Sequence, residues 1–190
     1  MRLIPLPFIT LLILSTSLCF ASNNTDPVIA VVLQKEIHAS ILEPSKKALD
    51  HWGPTYDQNS FQEWLRLDRA QRISSEIIKP LFDAYAERNS IIVTDAEVND
   101  LIGCYRMFNP SNYKSVSPED LSMLRDKVRT WKVMKSLHIQ YGGRSIPGNM
   151  TLEPIDAIRD FVYEEERRGS FKIFDEPTRQ LFKAAMEPSA

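Results

Sequence analysis

Phe171-Lys172-Ile173-Phe174 alternates apolar and polar side chains as a strand does, between a helix-stopping Gly169 and an Asp175-x-Pro177 helix start. A strand leaves half its backbone groups unpaired unless a second strand lies beside it, and even a lone hairpin is marginal in water. The partner available to it is near the other end of the chain. Val28-Ile29-Ala30-Val31-Val32-Leu33 reads as a strand, Gln34-Lys35 as a two-residue reversal, and Glu36-Ile37-His38 as the return. The two ends must therefore meet, and what lies between must fold as a body that lets them.

That body reads as helix almost throughout. Ser40 is placed to cap a helix from Ile41 to about Asp50, which ends before the Gly53-Pro54 loop. Phe61 to Asn89 is the longest helical pattern, with Ile73, Ile77, Leu81 and Tyr85 at four-residue steps. Pro80 removes a backbone bond inside it, so a kink or break is expected there. Thr94-Asp95-Ala96-Glu97 is a capping box opening a helix through Val98, Leu101, Ile102, Tyr105 and Phe108. Ser117-Pro118 opens another, carrying Leu124, Val128, Trp131, Met134 and His138 on its inner stripe, and Gly142-Gly143 stops it. Pro154 starts a helix that Gly169 ends. The fold class is mainly α: a multi-helix domain with a small β-hairpin and terminal sheet closing the N- and C-terminal segments.

Residues 1–21 stand apart. Arg2 precedes a mostly apolar run from Leu3 to Leu18, and Cys19-Phe20-Ala21 supplies a small-residue cleavage signal. The run is shorter than the ~20 apolar residues of a membrane span and contains Pro5 and Pro7. It reads as a cleaved secretory signal peptide, with 22–190 as a single helical domain. Contact with a membrane is expected only through an uncleaved signal. Cleavage removes Cys19 and leaves Cys104 as the sole thiol, so stability is expected from core packing without an internal disulfide. The chain has a net charge of −2, which excludes the global basic field of a nucleic-acid binder.

The stretch from Val28 to Leu42, followed by Ile73 to Ile102 with Val93-Thr94-Asp95-Ala96-Glu97-Val98 inside it, resembles the N-terminal domain of SurA-like periplasmic chaperones. The resemblance covers roughly residues 28–108. It implies a starting hairpin to which a C-terminal strand returns, here Phe171 to Phe174. It also implies export, to the bacterial periplasm or beyond the cell. The glycine-rich motif of a parvulin isomerase domain has no counterpart in the sequence; Tyr141-Gly142-Gly143-Arg144 is a helix stop by comparison.

No constellation of catalytic type emerges. Cys104 lies beside the apolar face of its helix and reads as a small buried side chain rather than a nucleophile paired with His138. His38, His51 and His138 lack metal-ligand spacing, and His138 reads as a hydrogen-bonded core residue. Glu164-Glu165-Glu166-Arg167-Arg168 reads as a solvated last turn with its arginines placed favourably at the helix end. Asn23 and Asn149 stand in glycosylation sequons. Trp52, Tyr56 and Tyr113 fall in expected loops, where core packing explains them less readily; they either fold back to cap the helices, the commoner case, or present contact area to a partner, and they are the candidate partner-binding residues. The expectation is an exported, chaperone-like protein that binds unfolded or extended polypeptide segments, or a protein partner, without cofactor, metal or catalysis. The alternatives are a peptidyl-prolyl isomerase or other exported enzyme with a dispersed site, and a structural accessory subunit of an envelope complex.

Overall fold

The computed structural model describes residues 26–52, 57–108, 116–147 and 152–187. The chain ends do meet. β1 (Val28–Val32) and β2 (Lys35–His38) form the hairpin, and β5 (Phe171–Ile173) pairs antiparallel with the other edge of β1. Ala30 stands opposite Ile173 and Val32 opposite Phe171, while Ala30 also faces Ile37. Because strand side chains alternate, this register puts Ala30, Val32, Ile37, Phe171 and Ile173 on one buried face. Lys172 and Glu36 point to solvent from the opposite one.

The reversal sits one residue earlier than the sequence pattern suggests. Val32 pairs with Lys35, so Leu33 and Gln34 form the turn, with φ of 48° and 69°. Two positive φ values are what a type I′ hairpin turn requires. The chain adopts it here without glycine or asparagine, and the register it sets places Ile37 opposite Ala30 on the buried face.

Ser40 does not cap a helix from Ile41. Ala39–Leu42 forms a single 3-10 turn, and α1 begins only at Lys46 and runs to Trp52. Pro44 is the reason, since proline pushes the residue before it out of the helical region. Asp26 accepts from the Ser40 amide instead. α2 (Gln58–Arg88) is continuous through Pro80, so the helix does not break there. Ile77 and Leu81 on either side of the proline are wholly buried, so core packing holds the segment helical despite the lost bond.

α3 (Asp95–Phe108) opens on the foreseen capping box: Thr94 N–H donates to Glu97 at 2.8 Å and Glu97 N–H to the Thr94 hydroxyl at 3.3 Å. α4 (Pro118–Tyr141) opens on a second box between Ser117 and Asp120. A two-residue ribbon, β3 (Ile146–Pro147) with β4 (Leu152–Glu153), leads to α5 (Ile155–Arg167); its strands are too short to show as periodicity. α6 (Glu176–Met186), capped by Asp175, packs along α2.

Two hydrophobic clusters result. The larger gathers the sheet's inner face, the second half of α2, α5, α6 and the end of α4. The smaller lies between α3 and α4, around Val98, Leu101, Ile102, Leu124 and Val128, and Trp131 packs against both. The protein is mainly helical with a small antiparallel sheet. Among the described residues no helix is long and apolar enough to cross a membrane.

Candidate functional site

α2 is longer than the core that supports it. No residue from Gln58 to Arg69 is buried; the first buried one is Ala70. The helix starts because Asp57 accepts from the amides of Asn59 and Ser60, both at 3.0 Å. Its first three turns then project as an arm, on which Phe61 and Trp64 stack with ring centroids 5.6 Å apart. Leu67 is 53% exposed, a large apolar side chain without cover.

Where α2 reaches the body, α4 and the end of α6 flank it and leave an open groove of about 690 Å³. Its floor is apolar, made by Ala70, Ile78, Phe82, Val133 and Met186. Polar atoms enter from α2 through Gln71, Ser74 and Ser75. The Ser74 hydroxyl is buried and has no hydrogen-bond partner. A buried unpaired polar atom costs free energy, a local expense of placing serine at this position of α2.

The rim is charged on both sides. Arg66 is tied to Glu63 at 2.7 Å and draws that carboxyl below its ordinary range. Arg129 meets Asp83 at 3.4 Å. Lys79 lies at the α4 side of the groove with no ion pair among the described residues. These groups can recognise and hold a bound segment. Among the described residues no group of three or more His, Cys, Asp or Glu side chains is placed to hold a metal ion.

The candidate residues from sequence lie elsewhere. Trp52 ends α1 rather than lying in a loop, is half-buried, and meets His51 edge to face at 4.5 Å. Tyr56 and Tyr113 lie outside the described residues, as do Asn23 and Asn149. Cys104 is exposed, against the expectation of a buried thiol. Among the described residues α4 is the helix that packs along α3, and Cys104 falls beside the buried stripe of Val98, Leu101 and Ile102. His138 is exposed too, because Leu137 takes the buried position on α4. The run from Glu164 to Arg168 is not simply a solvated turn: Glu165 is 1% exposed, and its carboxylate accepts from Arg88, Arg168 and Ser170 at 2.6–2.9 Å.

The groove itself left a trace in the sequence. Trp64, Leu67, Gln71, Ser74 and Ile78 follow one another at alternating three- and four-residue steps, a second stripe on α2 beside the core stripe. Its mixed polarity hid it behind the stronger pattern of Ile73, Ile77 and Leu81. No protein-family model, curated protein or solved structure matches the chain.

Proposed function

We propose that this protein is an exported, chaperone-like binder of unfolded or extended polypeptide segments, and that the groove on α2 is where it holds them. The single observation that carries the reading is an open groove of about 690 Å³ with an apolar floor and a polar rim, extended at one end by exposed Leu67. Such a groove takes apolar side chains of a guest while rim groups meet its backbone, which suits guests of varied sequence. The leader pattern of residues 1–21 supports export, and the return of β5 to β1 accords with the SurA-like resemblance. A thermally unfolding test protein should aggregate less as this chain is added, with the effect saturating near equimolar amounts. Leu67→Asp, at an exposed position, should fold normally and lose most of that protection. A parent protein with no effect on aggregation, or a Leu67→Asp variant as protective as the parent, would refute the reading.

A further inference from the structure

Two further hollows continue the groove on α2. One, of about 480 Å³, lies along the arm and has Trp64 in its wall. Leu67 lines both it and the groove. The other, of about 600 Å³, lies on α4 beside Met123 and Trp131. Lys79, Asp126 and Thr130 line both that hollow and the groove. Shared walls make these spaces one track, which runs along α2 and then turns across α4. The stretch of α2 from Ser60 to Lys79 alone spans about 30 Å at the helical rise. Apolar ground recurs along the track, at Trp64 and Leu67, then Ile78 and Phe82, then Met123 and Trp131.

Where the track turns, Lys79 of α2 and Asp126 of α4 stand in the same two hollows. Both are exposed, and among the described residues neither enters an ion pair, with each other or with a neighbour. The slot between the helices thus has a donor on one wall and an acceptor on the other. That is the polarity of an extended main chain, in which each peptide unit turns its C=O to one side and its N–H to the other. A helical guest has already used these groups on its own ladder and would leave both charges without a partner. We infer, resting on the peptide-binding reading, that the guest lies along the track as one extended segment of at least about nine residues. Its main chain passes between Lys79, which donates to a guest carbonyl, and Asp126, which accepts from a guest amide. Free main chain and length are then what the site reads, and side-chain sequence matters only at the widely spaced apolar stations.

The probes are end-capped, uncharged peptides with leucine at every third position and serine or glutamine between, carrying a neutral dye for fluorescence anisotropy. Binding should tighten at least about tenfold from six residues to ten and change little beyond about fourteen, once the track is filled. One N-methyl group placed at successive residues removes one main-chain N–H at a time and keeps every side chain. At one position it should weaken binding to the parent protein about fivefold, the loss of one hydrogen bond. The same methylation should cost nothing further in Asp126→Ala, whose fold far-ultraviolet circular dichroism verifies. A version of the longest peptide stapled as a helix should bind more weakly than the flexible one. A flat length series, a methyl series with no sensitive position, a sensitive position unchanged in Asp126→Ala, or a tighter-binding helical staple would each overturn the inference. Aggregation protection alongside a flat length series would leave the groove reading standing and remove the extended track alone. No binding by any peptide together with no protection would remove both.

Discussion

The large cluster closes the chain on itself; the small one merely folds a neighbour back. In the first, β5 reaches β1 across about 140 residues of sequence, and a buried carboxylate, Glu165, ties the ends of α2 and α5 to Ser170 at the start of β5. In the second, α3 and α4 are successive helices, and the ion pairs across them, Lys132 with Glu97 and Arg125 with Asp95, are partly or mostly exposed. Contacts between distant segments are worth most once the whole fold is formed, whereas successive helices can open without it. The large cluster should therefore report global stability and the small one a local equilibrium.

The hardest test of that difference is Ile173→Asp. Ile173 is 1% exposed, opposite Ala30 and among the apolar side chains of the sheet's inner face. A carboxylate there is a buried charge with no counter-ion at its side chain's position, and the closing strand cannot dock. We expect a loss of more than about 4 kcal/mol in urea unfolding, enough to abolish the native state of a marginally stable domain. Removing residues 170–190 should do the same. A variant that unfolds at the parent's midpoint would show that closure contributes little.

Glu165→Ala comes next. Burial alone pushes the Glu165 carboxyl up, but the Ser170 hydroxyl, Arg88 and Arg168 outweigh it and hold the pKa below the ordinary value of 4.5. A carboxyl lowered in the folded state stabilises it fully above the unfolded pKa. That contribution is lost as pH falls through the folded value. Removing the carboxylate takes away the partner of Arg88 and of the Ser170 hydroxyl, while Arg168 keeps Glu164, and about 2 kcal/mol should go, with the acid limb of the stability profile shallower than the parent's. An unchanged acid limb would mean that the joint is held by something else.

How much of this could be read from the sequence depends on whether a signal was local or paired. The capping box at Thr94, the Ser117-Pro118 helix start and the strand at Phe171–Ile173 that demanded a partner are local chemistry with strong preferences, and the structure contains all three. The stop at Pro44 is equally local, and it overrides the helix start that Ser40 offers. Glu165 was different: its burial is decided by Arg88, 77 residues away, and nothing around it in sequence signals an interior position. Cys104 and His138 failed for a related reason. A helical stripe has soft edges, and which edge is covered depends on how many neighbours the helix has. The groove on α2 stayed hidden because its stripe carries Gln71 and Ser74, residues that a search for a buried face discounts.

Within the small cluster, Leu124→Ala removes a wholly buried side chain from between α3 and α4. The direct cost should be about 3 kcal/mol. Hydrogen exchange should show its distinctive mark: α3 amides exchanging through an opening that leaves α5 and β5 protected. Equal acceleration across both clusters would erase the distinction between them, since it would mean that α3 opens only when the sheet does.

The smallest effect separates exposure from mere proximity to a hydrophobic cluster. Cys104 sits two residues past Ile102 and lines a hollow with Trp131 and Lys132, yet its side chain meets solvent. Cys104→Ser there exchanges one small exposed group for another, so stability should move by less than about 0.5 kcal/mol. A thiol reagent such as Ellman's should label the folded protein without waiting for α3 to open, because an exposed sulfur needs no prior unfolding. Labelling whose rate instead followed the exchange of α3 amides would place the sulfur inside the small cluster and make its helix pair tighter than the geometry describes. Leu124→Ala sharpens the same point. It should speed α3 exchange while leaving the labelling rate of Cys104 nearly where it was, since a group already outside gains nothing from an opening.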